Sequence, residues 1–166
     1  EIFDITELVH YCLDTFKNRA DDKGVELISY IDSALPKEVL GDAVRLRQIL
    51  CRFIHNALRF TEHGEIVISL KNTIFNQSLG IQFSVQDTGI GLSEAQIGLL
   101  FRASHHHNNE HTDTWHIGPS LTQCIQLIEQ MGGHLEIDSV PYEGALFSFT
   151  LPLKTPSSLL SESTTE

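Results

Sequence analysis

The chain has 166 residues, enough for one domain with a single core and short for two. Eleven basic residues against 22 acidic ones leave a formal charge of −11, which repels nucleic-acid backbones and anionic membrane surfaces alike. A hydrophobic share of 41% excludes wholesale disorder, and no stretch reaches the roughly 20 apolar residues of a membrane span.

Along the chain, Asp4-Ile-Thr-Glu7 reads as a capping box, with Phe3 and Leu8 as its hydrophobic staple. The helix it opens places Ile5, Leu8, Val9, Cys12, Leu13 and Phe16 on one face and ends at Lys23-Gly24. Residues 25–31, β-branched and bounded by Pro36, predict a strand. Asp42 caps a second helix to about Phe60, with an apolar stripe of Leu46, Ile49, Leu50, Phe53, Ala57 and Phe60. At about 100° per residue, Arg45, Gln48, Arg52, Asn56 and Arg59 share roughly 80° of another face. That face is either solvated surface or a surface for an anion. In this pattern His55 reads as a residue of the helix surface.

Residues 65–72 and 80–86 alternate as two strands joined by a polar turn. Ser93-Glu-Ala-Gln96 is a second capping box, opening a short helix to about Phe101. Residues 103–117, rich in His, Asn and Thr, predict a loop of about 15 residues, a length usually tied to function or disorder. Gly118-Pro119 begins a further helix, which Gly132-Gly133 stops. Residues 134–140 and 144–151 close the fold as a strand pair, and a Ser/Thr-rich linker follows from Lys154. The order α-β-α-β-β-α-α-β-β predicts an α/β two-layer sandwich: a mixed, mostly antiparallel sheet covered on one face by helices, over residues 1–153, with 154–166 as a flexible tail.

The three cysteines, Cys12, Cys51 and Cys124, are odd in number and scattered, which suggests reduced core thiols in a reducing compartment. His107 and His111 stand at i, i+4, a spacing that can hold a transition metal, but no carboxylate or thiol completes a signature around them. Neither a G-x-S-x-G elbow nor a Walker-type phosphate loop is present.

Asp87-Thr-Gly-Ile-Gly91 follows directly on a strand. Its glycines let the backbone approach a flat ligand, and a carboxylate at the strand end can accept from an amino group. By itself the run is equally a plain turn. In order with Gly41-Asp-Ala-Val-Arg-Leu-Arg-Gln-Ile-Leu50, His55-Asn-Ala-Leu-Arg-Phe-Thr61 and Gly144-Ala-Leu-Phe147, however, it closely resembles the catalytic and ATP-binding domain of sensor histidine kinases, most of all the hybrid type. These belong to the gyrase/Hsp90/histidine-kinase/MutL superfamily. Phe3-Asp4-Ile5, Lys23-Gly24 and Leu135-Glu-Ile-Asp-Ser139 fit the same pattern, so the resemblance spans about residues 3 to 153.

The resemblance implies a Bergerat-type fold and two cofactors, ATP and Mg²⁺. It implies Asp87 as the acceptor for the adenine amino group, Gly89 and Gly91 as the floor of the adenine pocket, and Asn56 as a Mg²⁺ ligand beside the phosphates. It puts Arg59, where the family usually has Lys, and Arg52 near the phosphates, and Phe101 in the segment before the ATP lid. Gly118 is the one glycine kept in the second glycine box, here His116-Ile-Gly-Pro-Ser-Leu121. Pro119 in that box removes a backbone donor, Arg52 replaces a usual Asn, and Tyr142 stands where the third box usually has Gly. The departures cluster at the phosphate end. Arg52 and Arg59, on the face of Asn56, offer guanidinium groups that can offset triphosphate charge in partial place of Mg²⁺.

The implied activity is transfer of the γ-phosphoryl group of ATP to a histidine on a separate dimerisation domain, with no catalytic residue or phosphoacceptor in this chain. The implied partners are that domain and, indirectly, a response-regulator receiver domain. Neither nucleic acid nor direct membrane contact is expected, and the implied location is cytoplasmic, in a parent anchored in the inner membrane. A second reading is a degenerate docking module of a phosphorelay that binds nucleotide weakly or not at all. A third, an ATP-hydrolysing member of the superfamily, conflicts with Arg52 where a glutamate base is needed.

Overall fold

In a computed structural model the described residues are 1–105, 118–152 and 154–156, with side chains described outside 103–105 and 118–120. Two capping devices act as their sequences imply. Asp4 accepts the Thr6 and Glu7 N–H groups at 2.9 and 3.1 Å and starts α1 (Ile5–Lys23), which Gly24 closes in the left-handed conformation. Asp42 accepts the Arg45 N–H at 3.0 Å and starts α2 (Ala43–Phe60). Lys23, at the end of α1, donates to the Leu58 carbonyl of α2 and satisfies one of its open acceptors.

Two short strands went unforeseen. β1 (Ile2–Asp4) pairs antiparallel with β3 (Glu38–Leu40), flanking β2 (Val25–Ile31) in sequence. At three residues each they carry no readable alternation.

The main sheet holds five strands in the order β2-β4-β5-β7-β6, from β4 (Gly64–Phe75), β5 (Ser78–Asp87), β6 (Leu135–Val140) and β7 (Gly144–Pro152). Only β2 and β4 run parallel, so the mixed, mostly antiparallel sheet is borne out. β4 and β5 run past their predicted ends and turn through Asn76 and Gln77, both at positive φ, as a two-residue hairpin. The extension bears Ile74 and Leu79 exposed, so backbone pairing continues where burial, and with it the apolar alternation, has stopped.

Helix α2 packs on β4 and β5, with α1 and α4 (Gly118–Gln130) to either side and α3 (Glu94–His105) against α4. Core side chains from both layers meet there, among them Ile49, Leu50, Phe53, Ile66, Ile68, Phe83, Leu121, Ile125 and Phe149. Ser93 and Gln96 exchange the reciprocal bonds of the capping box, at 3.2 and 2.9 Å. α3 continues to His105, beyond the predicted stop at Phe101, because no Gly or Pro interrupts it; residues 103–105 are therefore helix and not loop. The rest of the predicted loop, 106–117, with His107 and His111, lies outside the described residues. Among the described residues no cluster of His, Cys, Asp and Glu is arranged for a metal, and no helix is long and apolar enough to cross a membrane. Lys154, at the head of the expected tail, accepts the Leu40 N–H at 2.8 Å.

Candidate functional site

The period of β5 decides where Asp87 points. Ile81, Phe83 and Val85 face the helices, and two residues on, Asp87 falls on the same side. A carboxylate thus ends a row of core side chains, 7% exposed. Its Oδ1 accepts the Gly89 N–H at 2.9 Å. Burial pushes its pKa up, while backbone hydrogen bonds from Gly89 and Ala145 pull the other way without cancelling the rise.

The loop after Asp87 is locked to its neighbours. The Ile90 N–H donates to the carbonyl of Phe60, the last residue of α2, at 3.2 Å, and Gly89 lies so close that a Cβ would sit 2.3 Å from that oxygen. Gly91 has φ +70° and abuts the β6–β7 turn. Ser139 completes the clamp: its hydroxyl accepts the Leu92 N–H at 2.7 Å and donates to the Gly144 carbonyl at 2.8 Å. The sequence reading noted Ser139 only as part of a matching run; its role depends on the register of β6 with β7 and has no local signal.

Asp87 opens on a cavity whose other walls are Phe53, Asn56, Ala57 and Phe60 of α2, Val85, Gly91 and Leu92, Leu121 of α4, and Ala145 and Phe147 of β7. Its free volume is about 20 Å³, room for water but not for a purine until the walls part. Phe53 braces the far wall, edge-on to Phe147 at 5.4 Å and to Phe149 at 6.0 Å. Asn56 is buried, and its amide Nδ2 has no hydrogen-bond partner among the described residues. A buried amide left unpaired costs free energy unless a ligand or water meets it, which fits a group positioned for a bound species. An amide oxygen is also a hard donor of the kind Mg²⁺ accepts.

Three predicted site residues, Asn56, Asp87 and Gly91, therefore line one cavity. Gly89 shapes the loop beneath it. Phe101 is partly buried on the core, its ring stacked with His134 at 6.4 Å. Gly118 is the first residue of α4, as its sequence suggested. Arg52 and Arg59 share the helical arc of Asn56 but not its burial. Both are exposed, and Arg52 lines a second, wider groove of about 690 Å³ between α1, α2 and α4. The arc of 80° was wide enough to be split, one edge turned into the core and the rest to solvent.

His55 lines the same groove and is half-buried, not a plain surface residue. Its Nδ1 is buried without a hydrogen-bond partner among the described residues, its ring meets Phe16 edge-on at 6.3 Å, and its pKa is lowered, first by burial and then by Arg19, Arg52 and Arg59. The sequence gives no sign of this, because α1 supplies the cover.

Comparison with known proteins matches residues 41–155 to the family of histidine kinase-, DNA gyrase B- and HSP90-like ATPases. The sensor histidine kinase GacS of Pseudomonas protegens is 36% identical over 153 residues, 91% of this chain and 17% of the relative. Full-length ShkA, solved in complex with AMPPNP, superposes with a TM-score of 0.74 at 30% identity, over 93% of this chain and 31% of that one. The nucleotide-free catalytic domain of histidine kinase ThkA shares the fold, with a TM-score of 0.73 at 21% identity over 95% of this chain and 97% of that one. The chain thus spans about a sixth of the length of GacS. It belongs to the histidine kinase-, DNA gyrase B- and HSP90-like ATPase family, and within that family it is similar to sensor histidine kinases.

Proposed function

We propose that this chain binds ATP through Asp87 and serves as the kinase domain of a sensor protein, passing the γ-phosphoryl group to a histidine on a separate dimerisation domain. One observation carries the reading: a carboxylate fixed by two backbone donors is buried at the end of an apolar slot. Such a slot suits the flat, apolar faces of a purine, and the remaining acceptor capacity of Asp87 suits its amino group. Asn56 would hold Mg²⁺ through its amide oxygen, and the ion when bound would offset the charge of the phosphates. Arg59 and Arg52, exposed on the same helix, supply further positive charge toward the phosphate end, and Gly118 opens the α4 N-terminus there. Phe101, in α3, would lie in the segment that precedes an ATP lid.

In this reading residues 1–153 form the domain and 154–166 lead toward the rest of a longer, membrane-anchored parent whose kinase domain faces the cytoplasm. Its partners are the dimerisation domain and, through it, a receiver domain.

Thermal unfolding with ATP and ADP tests the binding step, since a ligand taken up only by the folded form raises the midpoint. A rise with both nucleotides is the expected result. No rise at millimolar concentration would favour the docking-module reading, which Pro119 at the head of α4 motivates. Phosphorylation of the acceptor histidine in a longer chain that includes the dimerisation domain tests the transfer step.

A further inference from the structure

The wide groove between α1, α2 and α4 shares no lining residue with the cavity of Asp87. Arg19, Arg47, Arg52 and His55 line it, and among the described residues no carboxylate does, in a chain of 22 acidic against 11 basic residues. Nor is any of the three arginines paired with an Asp or Glu among the described residues. The groove is also apolar: Tyr11 and Val44 line it, each 53% exposed. We propose that this groove is a docking surface for an acidic amphipathic helix of a partner protein, with carboxylates on Arg19 and Arg47 and an apolar stripe on Tyr11 and Val44.

The geometry suits a helix. The guanidinium of Arg47 lies 4.8 Å from the centre of the Tyr11 ring, His55 meets Phe16 at 6.3 Å, and Lys23 meets the Leu58 carbonyl. Helices α1 and α2 therefore run side by side in the same direction along the groove. The guanidinium of Arg19 lies 5.6 Å from the centre of the Phe16 ring. Tyr11 and Phe16 stand five positions apart on α1, so the two guanidiniums are held about 7.5 Å apart along its axis. Carboxylates at i and i+4 of a docked helix are about 6 Å apart along theirs, a close match. Stacking on the rings orders both arginines before a partner arrives, which lowers the entropic cost of binding.

The local field has the matching sign. His55, on the α2 wall, has its pKa lowered first by burial and then by Arg19, Arg52 and Arg59, so the groove opposes further positive charge. The net charge of −11 repels a nucleic-acid backbone or an anionic membrane, whose charge extends far beyond the groove. A single helix instead keeps its carboxylates within about one Debye length of the arginines. Its apolar side chains also cover Tyr11 and Val44, which a free inorganic anion would leave in water.

Fluorescence anisotropy on the 166-residue chain tests the proposal. The probe is a labelled helical peptide of about 18 residues, with leucines at i, i+3, i+4 and i+7 and glutamates on both flanks. A control peptide carries glutamine at every glutamate. The expected result is saturable binding of the first peptide, weaker by roughly tenfold or more for the control and for the double variant Arg19→Glu, Arg47→Glu. Circular dichroism checks that the variant is folded. The bound peptide should also slow alkylation of Cys51, a half-buried residue of the groove wall, by severalfold in the wild type. Should the double variant fail to fold, the control peptide and the protection of Cys51 decide. Absence of binding up to roughly millimolar peptide, equal affinity for the two peptides, equal affinity of the folded variant, or unprotected Cys51 would each overturn the proposal. So would binding to phosphatidylserine–phosphatidylcholine vesicles that equals binding to the peptide.

Discussion

Gly91 and Val140 meet so closely that a Cβ on Gly91 would lie 2.4 Å from the Val140 carbonyl oxygen. The contact presses the loop that follows Asp87 onto the β6–β7 turn. Together with the Ser139 hydroxyl, it turns three separated sequence motifs into one wall of the cavity. Gly91 also sits at φ +70°, where a side chain costs about 1–2 kcal/mol before any clash is counted. Gly91→Ala should therefore lower stability by about 2 kcal/mol or more and weaken nucleotide binding with it. Urea unfolding measures the first effect; an unchanged midpoint would mean that the loop relaxes freely.

Tyr142 is the converse case. It has φ +67° and is 88% exposed, in the turn between β6 and β7. Relief of about 1–2 kcal/mol of left-handed strain outweighs the roughly 0.5–1 kcal/mol of extra chain entropy that glycine loses on folding. Tyr142→Gly should raise stability by about 0.5–1 kcal/mol with nucleotide affinity kept. A fall in the urea midpoint would show that the ring contributes something its exposure conceals.

Asp87 imposes a pH dependence with a definite sign. Burial raises its pKa, so the folded chain holds this proton more tightly than the unfolded one. Its contribution to stability is full below the ordinary carboxylate value and is lost as the pH climbs through the raised value. Asp87→Asn removes this loss: the variant should be at least as stable as wild type at neutral pH, with a flatter stability profile over that window. Its nucleotide affinity should nevertheless fall, since the amide replaces an acceptor fixed by two donors. Parallel unfolding curves for the two proteins across the window would contradict the assignment of the shift.

Much of this was legible in the sequence because it rests on local rules. The caps at Asp4, Asp42 and Ser93, the glycine stop at Gly24 and the alternation through Ile81, Phe83, Val85 and Asp87 each depend on residues within one turn or one strand. What escaped depends on distant partners. β1 and β3 exist only through each other, and His55 is covered by Phe16 from another helix. Scattered thiols read as reduced core residues, yet Cys51 is only half-buried, on the groove between α1, α2 and α4. The arc of polar residues on α2 was visible; which of them turns inward was set by β5 and α4, and only Asn56 does.

Metal dependence follows from that split. Asn56 alone of the arc lines the inner cavity, while Arg52 and Arg59 remain exposed and charged. ATP binding should weaken in EDTA by roughly tenfold, the arginines retaining part of the attraction. Complete loss of affinity would assign no such role to Arg52 and Arg59.

The most direct test is calorimetric titration of ATP into the wild-type chain and into Asp87→Ala. Removing a buried charged acceptor should cost about 1.5–3 kcal/mol of binding, a loss of roughly tenfold to a hundredfold, with folding intact by circular dichroism. Equal affinity in the two proteins would contradict the account at its centre.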